Sequence, residues 1–269
     1  MRREVLTDPV GVRLVPDSRS GVGVLVLAGS RGAADGARAE LFARHGAIAE
    51  SIQWFGGPGQ NPGPWEVPLE LFQERVVSLA STCDRVVVVG LSFGAEAALL
   101  TGALTSDVEA VVAFAPSDVV WAGVDQDGRQ TSHWTLDGRP LPFVPFAEDW
   151  EPDRDPPAYR DLYLRSRQQA TTDAVAAATI QVERIPTVVQ VVGGDDQVWP
   201  SDVHADLVAG RRSAHGLTTT TVTVAEAGHR AVLPGEGEVT GGVRMARGGT
   251  PEADRRLGQA AWVEIRRLL

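Results

Sequence analysis

The chain has 269 residues, of which 43% are hydrophobic and 22% are charged, as in an ordinary globular protein. All 25 basic residues are arginine, and against 35 acidic residues they leave a net charge of −10, which argues against a nucleic-acid partner. The absence of lysine excludes Schiff-base catalysis, and the single cysteine excludes a disulfide framework and a thiolate metal cluster. We expect neither a metal nor a cofactor. No stretch has the length and apolarity of a membrane span or a secretory signal, so we expect a cytoplasmic protein without a membrane partner.

Short runs of β-branched residues alternate with helix-like segments along most of the chain. In chain order we predict a strand at 23–28, a helix at 33–45, a strand at 47–53, a helix at 68–81, a strand at 85–89, a helix at 92–104, strands at 110–114, 186–192 and 219–224, and a closing helix at 251–269. The run RVVVV at 85–89 is typical of a strand buried on both faces of a parallel sheet. Strands separated by helices predict one α/β domain over residues 1–269, with a doubly wound, mostly parallel sheet.

Residues 116–182 interrupt this alternation, with few strand signals, many prolines and the three tryptophans Trp121, Trp134 and Trp150. A structureless loop of this length is uncommon inside a compact domain unless it is functional. We predict that the segment is an insertion that caps one edge of the sheet, and that the three indoles contact substrate. The alternative is a peripheral excursion with no role in substrate binding.

The sequence Gly-Leu-Ser-Phe-Gly at 90–94 has the spacing of a nucleophile elbow around Ser92. Four valines precede it and a helix-forming run follows it, which is the strand–turn–helix context that this motif requires. The tight turn pushes the serine hydroxyl away from the backbone, and side chains at Gly90 and Gly94 would collide with the neighbouring strand or helix. The alternative is an ordinary glycine-rich turn.

A serine hydroxyl needs a base, and the base needs a group that orients it. Asp195 and Asp196 follow the strand at 186–192, and His229 follows the strand at 219–224, so acid and histidine come after the serine in the order expected for this kind of sheet. Each lies just past the carboxyl end of a strand, where open α/β sheets place their sites. We favour Asp196 as the orienting acid because it lies further out on its loop, and expect Asp195 to satisfy the turn.

The oxyanion of a tetrahedral intermediate needs two main-chain donors. One is expected to be the Phe93 amide at the start of a helix, and the other the amide of Ser30 or Arg31 in the turn after the first predicted strand. The alternative is that the turn at Ser30 and Arg31 only caps the next helix, and the two interpretations are compatible. Among the other histidines, we expect His133 at a solvated position, with substrate contact as the alternative, and His204 in a structural role.

Six segments carry a resemblance to a known family: GSRGAADGARAELFARHG, GLSFGAEAAL, WTLDGRPLPF, IQVERIPTVVQVVGGDDQVWPS, AEAGHRAVLP and RGGTPEADRRLGQAAWVEIRRLL. They occur in this order over most of residues 20–269. They resemble the glycine-rich turn, nucleophile elbow, insertion segment, acid loop, histidine loop and terminal helix of the acyl-CoA thioesterase / bile acid-CoA:amino acid N-acyltransferase catalytic domain.

The resemblance implies an α/β-hydrolase fold, with the cap at 116–182 inserted between strands 6 and 7 and with Ser92, Asp196 and His229 as the triad. Many animal members carry an N-terminal β-sandwich domain, for which the residues before the first predicted strand are too few. Arg31 stands where the family often has glycine. Transferases of the family tend to use a cysteine nucleophile, so the serine of this chain favours hydrolysis.

These observations predict a serine hydrolase that cleaves an acyl thioester, carried by coenzyme A or by an acyl carrier protein, through an acyl-enzyme. The net charge of −10 is an argument against a polyanionic coenzyme A ester, which local arginines such as Arg31 would have to overcome. The alternatives are a carboxylesterase, lactonase or acyltransferase with the same triad and a simple ester substrate, and a catalytically inactive binding module.

Overall fold

An eight-stranded sheet forms the centre of the protein in the computed structural model, which describes residues 1–237 and 243–269. In chain order its strands are β1 (Arg2–Thr7), β2 (Val10–Val15), β3 (Val22–Leu27), β4 (Ile48–Ile52), β5 (Arg85–Leu91), β6 (Val108–Phe114), β7 (Thr187–Gly193) and β8 (Thr220–Val224). They lie side by side in the order β1-β2-β4-β3-β5-β6-β7-β8. Only β2 pairs in antiparallel fashion, with β1 and β4, so the predicted mostly parallel sheet is confirmed.

Helices cover both faces of this sheet. They are α1 (Gly36–Arg44), α2 (Glu70–Ala80), α3 (Phe93–Leu104), α4 (Arg160–Gln169), α5 (Thr172–Ala178), α6 (Ser201–Ala214) and α7 (Pro251–Ile265). Short 3-10 turns follow at Val182–Arg184 and Arg266–Leu268. Of the helices formed by the described residues, none is both long and apolar enough to cross a membrane.

The central strands are buried on both faces, which explains their unbroken valine runs. In β5, Val86 and Val88 belong to one hydrophobic cluster with the inner residues of α2 and α3, while Val87 and Val89 belong to a second cluster with those of α1 and α7. Because side chains alternate along a strand, each strand contributes to both clusters. Because β3, β5, β7 and β8 run parallel, their carboxyl ends lie at the same edge of the sheet.

The expectation that the first strand begins at Gly23 is wrong. Two further strands, β1 and β2, precede it and form an antiparallel hairpin at one edge of the same sheet. Most side chains of β1 are exposed, and its sequence RREVLT carries three charged residues. An exposed edge strand of this composition lacks the apolar run by which the buried strands are recognised.

The insertion at 116–182 lies between β6 and β7, the sixth and seventh strands of the sheet, as predicted. It contains α4, α5 and the short strands Ala122–Val124, Gln130–Ser132, Trp134–Leu136 and Arg139–Pro140. It has a hydrophobic cluster that Trp199 completes from the loop after β7. The insertion therefore packs directly against the carboxyl edge of the sheet. That residues 1–269 form one domain stays a prediction.

Candidate active site

Ser92 lies in the turn between β5 and α3, with φ 58° and ψ −122°, a left-handed conformation that is rare for a residue with a side chain. A Cβ on Gly90 would lie 1.9 Å from the carbonyl oxygen of Gly94, and a Cβ on Gly94 would lie 2.3 Å from the carbonyl oxygen of Ala28. Both positions therefore need glycine. The predicted strand–turn–helix and its steric cause are confirmed.

Asp196, just beyond the end of β7, is fully buried and bonded to His229. Nδ1 of His229 lies 2.8 Å from Oδ2 and 3.0 Å from Oδ1 of this carboxylate. The hydroxyl of Ser201 donates to Oδ2 at 2.7 Å, and the amide of Val198 donates to Oδ1 at 2.9 Å. These donors hold the carboxylate in one orientation. The ring of His229 presents Nδ1 to this carboxylate, and its other nitrogen, Nε2, points away from it.

Asp195 has a different environment, although it is the adjacent residue. Its carboxylate accepts hydrogen bonds from the side chain of Gln197 at 2.7 Å and from the amide of Gly249 at 2.8 Å. It therefore connects the loop after β7 to the segment before α7, which agrees with the turn role expected for it. The structure pairs His229 with the second aspartate of the Asp-Asp sequence, the residue predicted from its position on the loop.

The loop that carries His229 is held by close backbone contacts. Its amide donates to the carbonyl of Arg247 at 2.9 Å, and the amide of Gly228 donates to Asp254 at 2.8 Å. A Cβ on Gly193 would lie 2.0 Å from the carbonyl oxygen of Gly228, so the loops after β7 and β8 touch without intervening side chains. Ser92 and His229 are each only 7% exposed.

The two expected oxyanion donors lie beside Ser92. Phe93 is the first residue of α3, and the first amides of a helix have no intrahelical acceptor. The amide of Gly32 donates to the carbonyl of Gly29 at 2.9 Å, so Ser30 and Arg31 are the central residues of a tight turn. A Cβ on Gly29 would be 3.4 Å from the Cβ of Ser92, which places this turn against the serine. Their role as donors stays a prediction.

Two of the three tryptophans expected at the substrate lie in the packed interior instead. Trp121 and Trp134 are fully buried, and their indole N–H groups donate to Ser117 and Glu96 at 3.0 and 2.6 Å. The reason is that Trp121 fills the hydrophobic cluster of the insertion, while Trp134 packs into the main core against the rings of Trp54 and Phe72. Trp150 is half-buried, stacks obliquely on a tyrosine at 5.5 Å, and keeps exposed surface.

Glu96, one turn after Ser92, is a fully buried carboxylate for which the sequence predicted no role. It accepts from the indole of Trp134, from the amide of Trp121 at 3.2 Å and from Nδ1 of His133 at 3.4 Å. All three donors belong to the insertion, so Glu96 fastens the insertion to the helix that follows the nucleophile. A lone acidic residue in the apolar helix run AEAALL was the available signal.

The expectation of a solvated His133 is wrong, because its side chain is 2% exposed. Its ring contacts the ring of Phe93 at 4.1 Å between centroids, and the Phe93 ring contacts Trp199 at 5.6 Å. Trp199 in turn contacts His229 at 6.0 Å. A continuous set of aromatic contacts therefore runs from the insertion to the candidate base.

A second buried histidine–aspartate pair lies outside this site. Nδ1 of His204 is 2.5 Å from Asp118, whose carboxylate also accepts two hydrogen bonds from Arg167 at 2.9 Å. Burial favours a higher pKa for Asp118, but the hydrogen bond from His204 and the charges of His204 and Arg167 outweigh it and hold the pKa below its ordinary value. The cluster joins α4 to α6, in line with the structural role expected for His204.

Solved structures match this one along nearly the whole chain, among them the following two. A structure named m3DLH has 17% sequence identity and a TM-score of 0.52, and the match covers 99% of this chain and 95% of that one. The dienelactone hydrolase-like promiscuous phosphotriesterase P91 from metagenomic libraries has 15% identity and a TM-score of 0.51, with the same coverage. At these identities the likeness shows the α/β-hydrolase fold alone. No curated protein sequence matches the chain.

A family model gives the more specific result. The model of the BAAT / acyl-CoA thioester hydrolase C-terminal family matches residues 67–267, which contain the elbow, the insertion, the acid loop and the histidine loop. This match covers well over half of the chain. The protein is therefore an α/β-hydrolase enzyme and belongs to the BAAT / acyl-CoA thioester hydrolase C-terminal family.

Proposed function

We propose that the protein hydrolyses acyl thioesters with Ser92 as nucleophile, His229 as general base and Asp196 as the orienting acid. The observations that carry the proposal are the bond of His229 to a fully buried carboxylate and the strained serine elbow at Ser92. A carboxylate at Nδ1 keeps Nε2 unprotonated and able to accept a proton. Membership of the family supports a thioester as the bond that is cleaved.

In the first half-reaction, the hydroxyl oxygen of Ser92 attacks the thioester carbonyl while His229 takes the hydroxyl proton. The carbonyl becomes an oxyanion, which the amide of Phe93 and an amide of the Gly29–Gly32 turn stabilise. Loss of one such donor typically costs about 3 kcal/mol of transition-state stabilisation. The intermediate then collapses, the carbon–sulfur bond breaks, and His229 returns the proton to the departing thiolate.

In the second half-reaction, His229 takes a proton from a water molecule, whose oxygen attacks the acyl-enzyme ester. Collapse of this second oxyanion releases the carboxylic acid, and His229 reprotonates Ser92. Asp196 stabilises the imidazolium in both halves without accepting the proton itself. The exposed side of Trp150 is a candidate contact for the acyl chain.

The second candidate function is hydrolysis of an oxygen ester or lactone, or acyl transfer, by the same residues. It is favoured by the serine site itself, since a Ser-His-Asp arrangement attacks esters and thioesters through the same intermediates. The acyl group of the substrate is carried either by coenzyme A or by an acyl carrier protein, and the proposal includes both carriers.

A paired substrate series tests the proposal. Rates are measured on butyryl-coenzyme A, butyryl-N-acetylcysteamine and a butyryl aryl ester, with and without an amine acceptor. We expect thioester hydrolysis that is lost in Ser92→Ala and retained in Ser213→Ala, a matched change of a helical serine exposed to solvent. Equal rates on oxygen esters without a thioester preference would exclude the thioesterase assignment. Amide formation in place of acid would assign acyl transfer.

A further inference from the structure

The loop that carries Asp196 is bonded at its main chain as well as at its carboxylate. Arg160, the first residue of α4, donates from Nη1 to the main-chain carbonyl of Asp196 at 3.3 Å. The same guanidinium donates to both carboxylate oxygens of Asp202 on α6, at 2.7 and 2.9 Å. Because a bidentate arginine–carboxylate pair has a fixed geometry, Asp202 determines where Nη1 of Arg160 points.

The first turn of α6 holds Asp196 at both of these points. Ser201, the first residue of this helix, donates its hydroxyl to the Asp196 carboxylate at 2.7 Å. Asp202, the next residue, binds the Arg160 guanidinium that donates to the Asp196 carbonyl. The side chain and the main chain of the candidate acid are therefore both fixed relative to the same two residues, and this arrangement sets the direction from which the carboxylate meets His229.

The main chain at the start of α4 contacts the acid loop as well. The amides of Tyr159 and Arg160 donate to the carbonyl of Gln197 at 3.0 and 3.2 Å. The first amides of a helix have no intrahelical acceptor, so these bonds satisfy groups that would otherwise need another partner. Together with Nη1 of Arg160, three donors of the insertion thus bind two consecutive carbonyls, those of Asp196 and Gln197.

The same part of the insertion reaches the histidine loop through one intervening segment. The carbonyl of Pro157 accepts a hydrogen bond from the amide of Ala246 at 2.8 Å. The carbonyl of the next residue, Arg247, accepts from the amide of His229 at 2.9 Å. The insertion is therefore bonded to the acid loop directly and to the histidine loop through residues 246 and 247.

Another ion pair of α6 has the same chemistry without this contact. Arg211 lies in the last turn of the helix and donates two hydrogen bonds to Glu183. Among the residues that the structure describes, neither the acid loop nor the histidine loop accepts a hydrogen bond from its side chain. The pair of Arg211 and Glu183 is therefore a matched control for the pair of Arg160 and Asp202.

We propose that Arg160 is a positioning residue for the candidate catalytic acid, and that the insertion acts on the chemical step through it. The proposal rests on the triad proposed above and adds to it a residue from another segment of the chain. Arg160 acts through the main chain of Asp196, and Asp202 acts through Arg160. A displacement of a catalytic group by about 1 Å can cost about 100-fold in rate, so a bond that fixes the acid loop affects kcat.

Steady-state kinetics on butyryl-N-acetylcysteamine test the proposal. We expect kcat to fall about tenfold or more in Arg160→Gln and in Asp202→Asn, while KM stays within about twofold of the parent, because the bond that is lost does not involve substrate. Arg160→Lys keeps the charge and one donor, so it should recover part of the loss. Arg211→Gln should leave both constants unchanged. A rise in KM at unchanged kcat would assign substrate binding to Arg160 and overturn the positioning role.

A double variant tests whether the two residues act in series. If Asp202 acts only by orienting Arg160, then Arg160→Gln/Asp202→Asn has the same kcat as Arg160→Gln alone. Losses that multiply would show that the residues act separately, which contradicts the proposal. Urea unfolding of every variant accompanies the kinetics. A loss of kcat that Arg211→Gln shares at equal stability would assign Arg160 a structural role only.

Proton NMR of the Nδ1–H group of His229 separates failure of this proposal from failure of the proposed function. The signal is assigned by its loss in His229→Gln, because Nδ1 of His204 also faces an aspartate. We expect it to shift, or to broaden through exchange with water, in Arg160→Gln and to stay unchanged in Arg211→Gln. Such a change supports the positioning role even where no thioester is hydrolysed. Hydrolysis with an unchanged signal and an unchanged kcat in Arg160→Gln overturns the positioning role and leaves the triad standing.

Discussion

The imidazole of His229 and the carboxylate of Asp196 meet between the loops that follow β8 and β7, with Nδ1 2.8 Å from Oδ2 and 3.0 Å from Oδ1. The carboxylate is fully buried and already holds the hydroxyl of Ser201. The contact is thus built into the fold and needs no substrate to form. This contact also distinguishes the two aspartates of the loop, because the carboxylate of Asp195 accepts its hydrogen bonds from Gln197 and Gly249 instead.

Asp196→Asn tests whether Asp196, and not Asp195, is the acid that orients His229. The amide would present a donor to Nδ1 and favour the wrong tautomer of His229, so we expect kcat to fall by about 10⁴ while the fold is kept. Asp195→Asn is the control and should lose far less, because it removes bonds to Gln197 and Gly249 only. Hydrolysis rates and circular dichroism of both proteins check this. Equal losses in the two variants would contradict the assignment.

Gly94→Ala tests the steric origin of the elbow. The new methyl group would lie 2.3 Å from the carbonyl oxygen of Ala28 and must displace backbone, so we expect a loss of about 2 kcal/mol or more in unfolding free energy, together with loss of activity. Gly210→Ala, in α6, meets nothing within 4 Å and should gain about 0.5 to 1 kcal/mol, as a helical glycine does. Urea unfolding measures both changes, and a stable, active Gly94→Ala would be inconsistent with this geometry.

Glu96→Ala tests the attachment of the insertion. Removal of the carboxylate leaves the indole N–H of Trp134 and the amide of Trp121 buried without an acceptor, so we expect about 3 kcal/mol of destabilisation. Trp134→Phe removes one hydrogen bond to the buried carboxylate and leaves a small cavity, for about 2 kcal/mol or more. Glu109→Ala, at an exposed position of β6, should stay within about 0.5 kcal/mol of the parent. If Glu96→Ala is as stable as Glu109→Ala, Glu96 does not fasten the insertion to α3.

The ion pair of Glu183 and Arg211 predicts a pH effect on stability. The hydrogen bond from Arg211 lowers the pKa of Glu183 to about 2, so the pair stabilises the fold above the unfolded-state pKa and loses this effect as pH falls towards 2. At neutral pH we expect Glu183→Gln to cost about 1 kcal/mol, since the pair is partly exposed and screened. The cost should shrink between about pH 4.5 and pH 2. Urea titrations across this range measure it, and a cost that does not change with pH would refute the prediction.

The central fold and the candidate triad were predictable because their signals are local. Valine runs mark strands that are buried on both faces, and the glycines at 90 and 94 mark a turn whose backbone contacts exclude a side chain. Asp196 and His229 each follow the carboxyl end of a predicted parallel strand. The sequence therefore predicts that both lie at the same edge of the sheet.

The other features depend on contacts between distant segments. His133 lies in a polar stretch, and only the packing of the insertion on Phe93 buries it. The indoles of Trp121 and Trp134 are large enough for either a binding surface or a core, and the sequence does not distinguish these uses. β1 is an exposed edge strand, so its sequence lacks the apolar run of a buried strand.

The central claim is that Ser92 is the nucleophile of a serine hydrolase, and covalent labelling tests it most directly. The parent protein, Ser92→Ala and Ser213→Ala are treated with a fluorophosphonate and analysed by peptide mass spectrometry. We expect one adduct, on Ser92, in the parent and in Ser213→Ala, with loss of activity in proportion to labelling, and no adduct in Ser92→Ala. A parent protein that hydrolyses substrate while Ser92 stays unlabelled, or a Ser92→Ala variant that keeps full activity, would contradict the account.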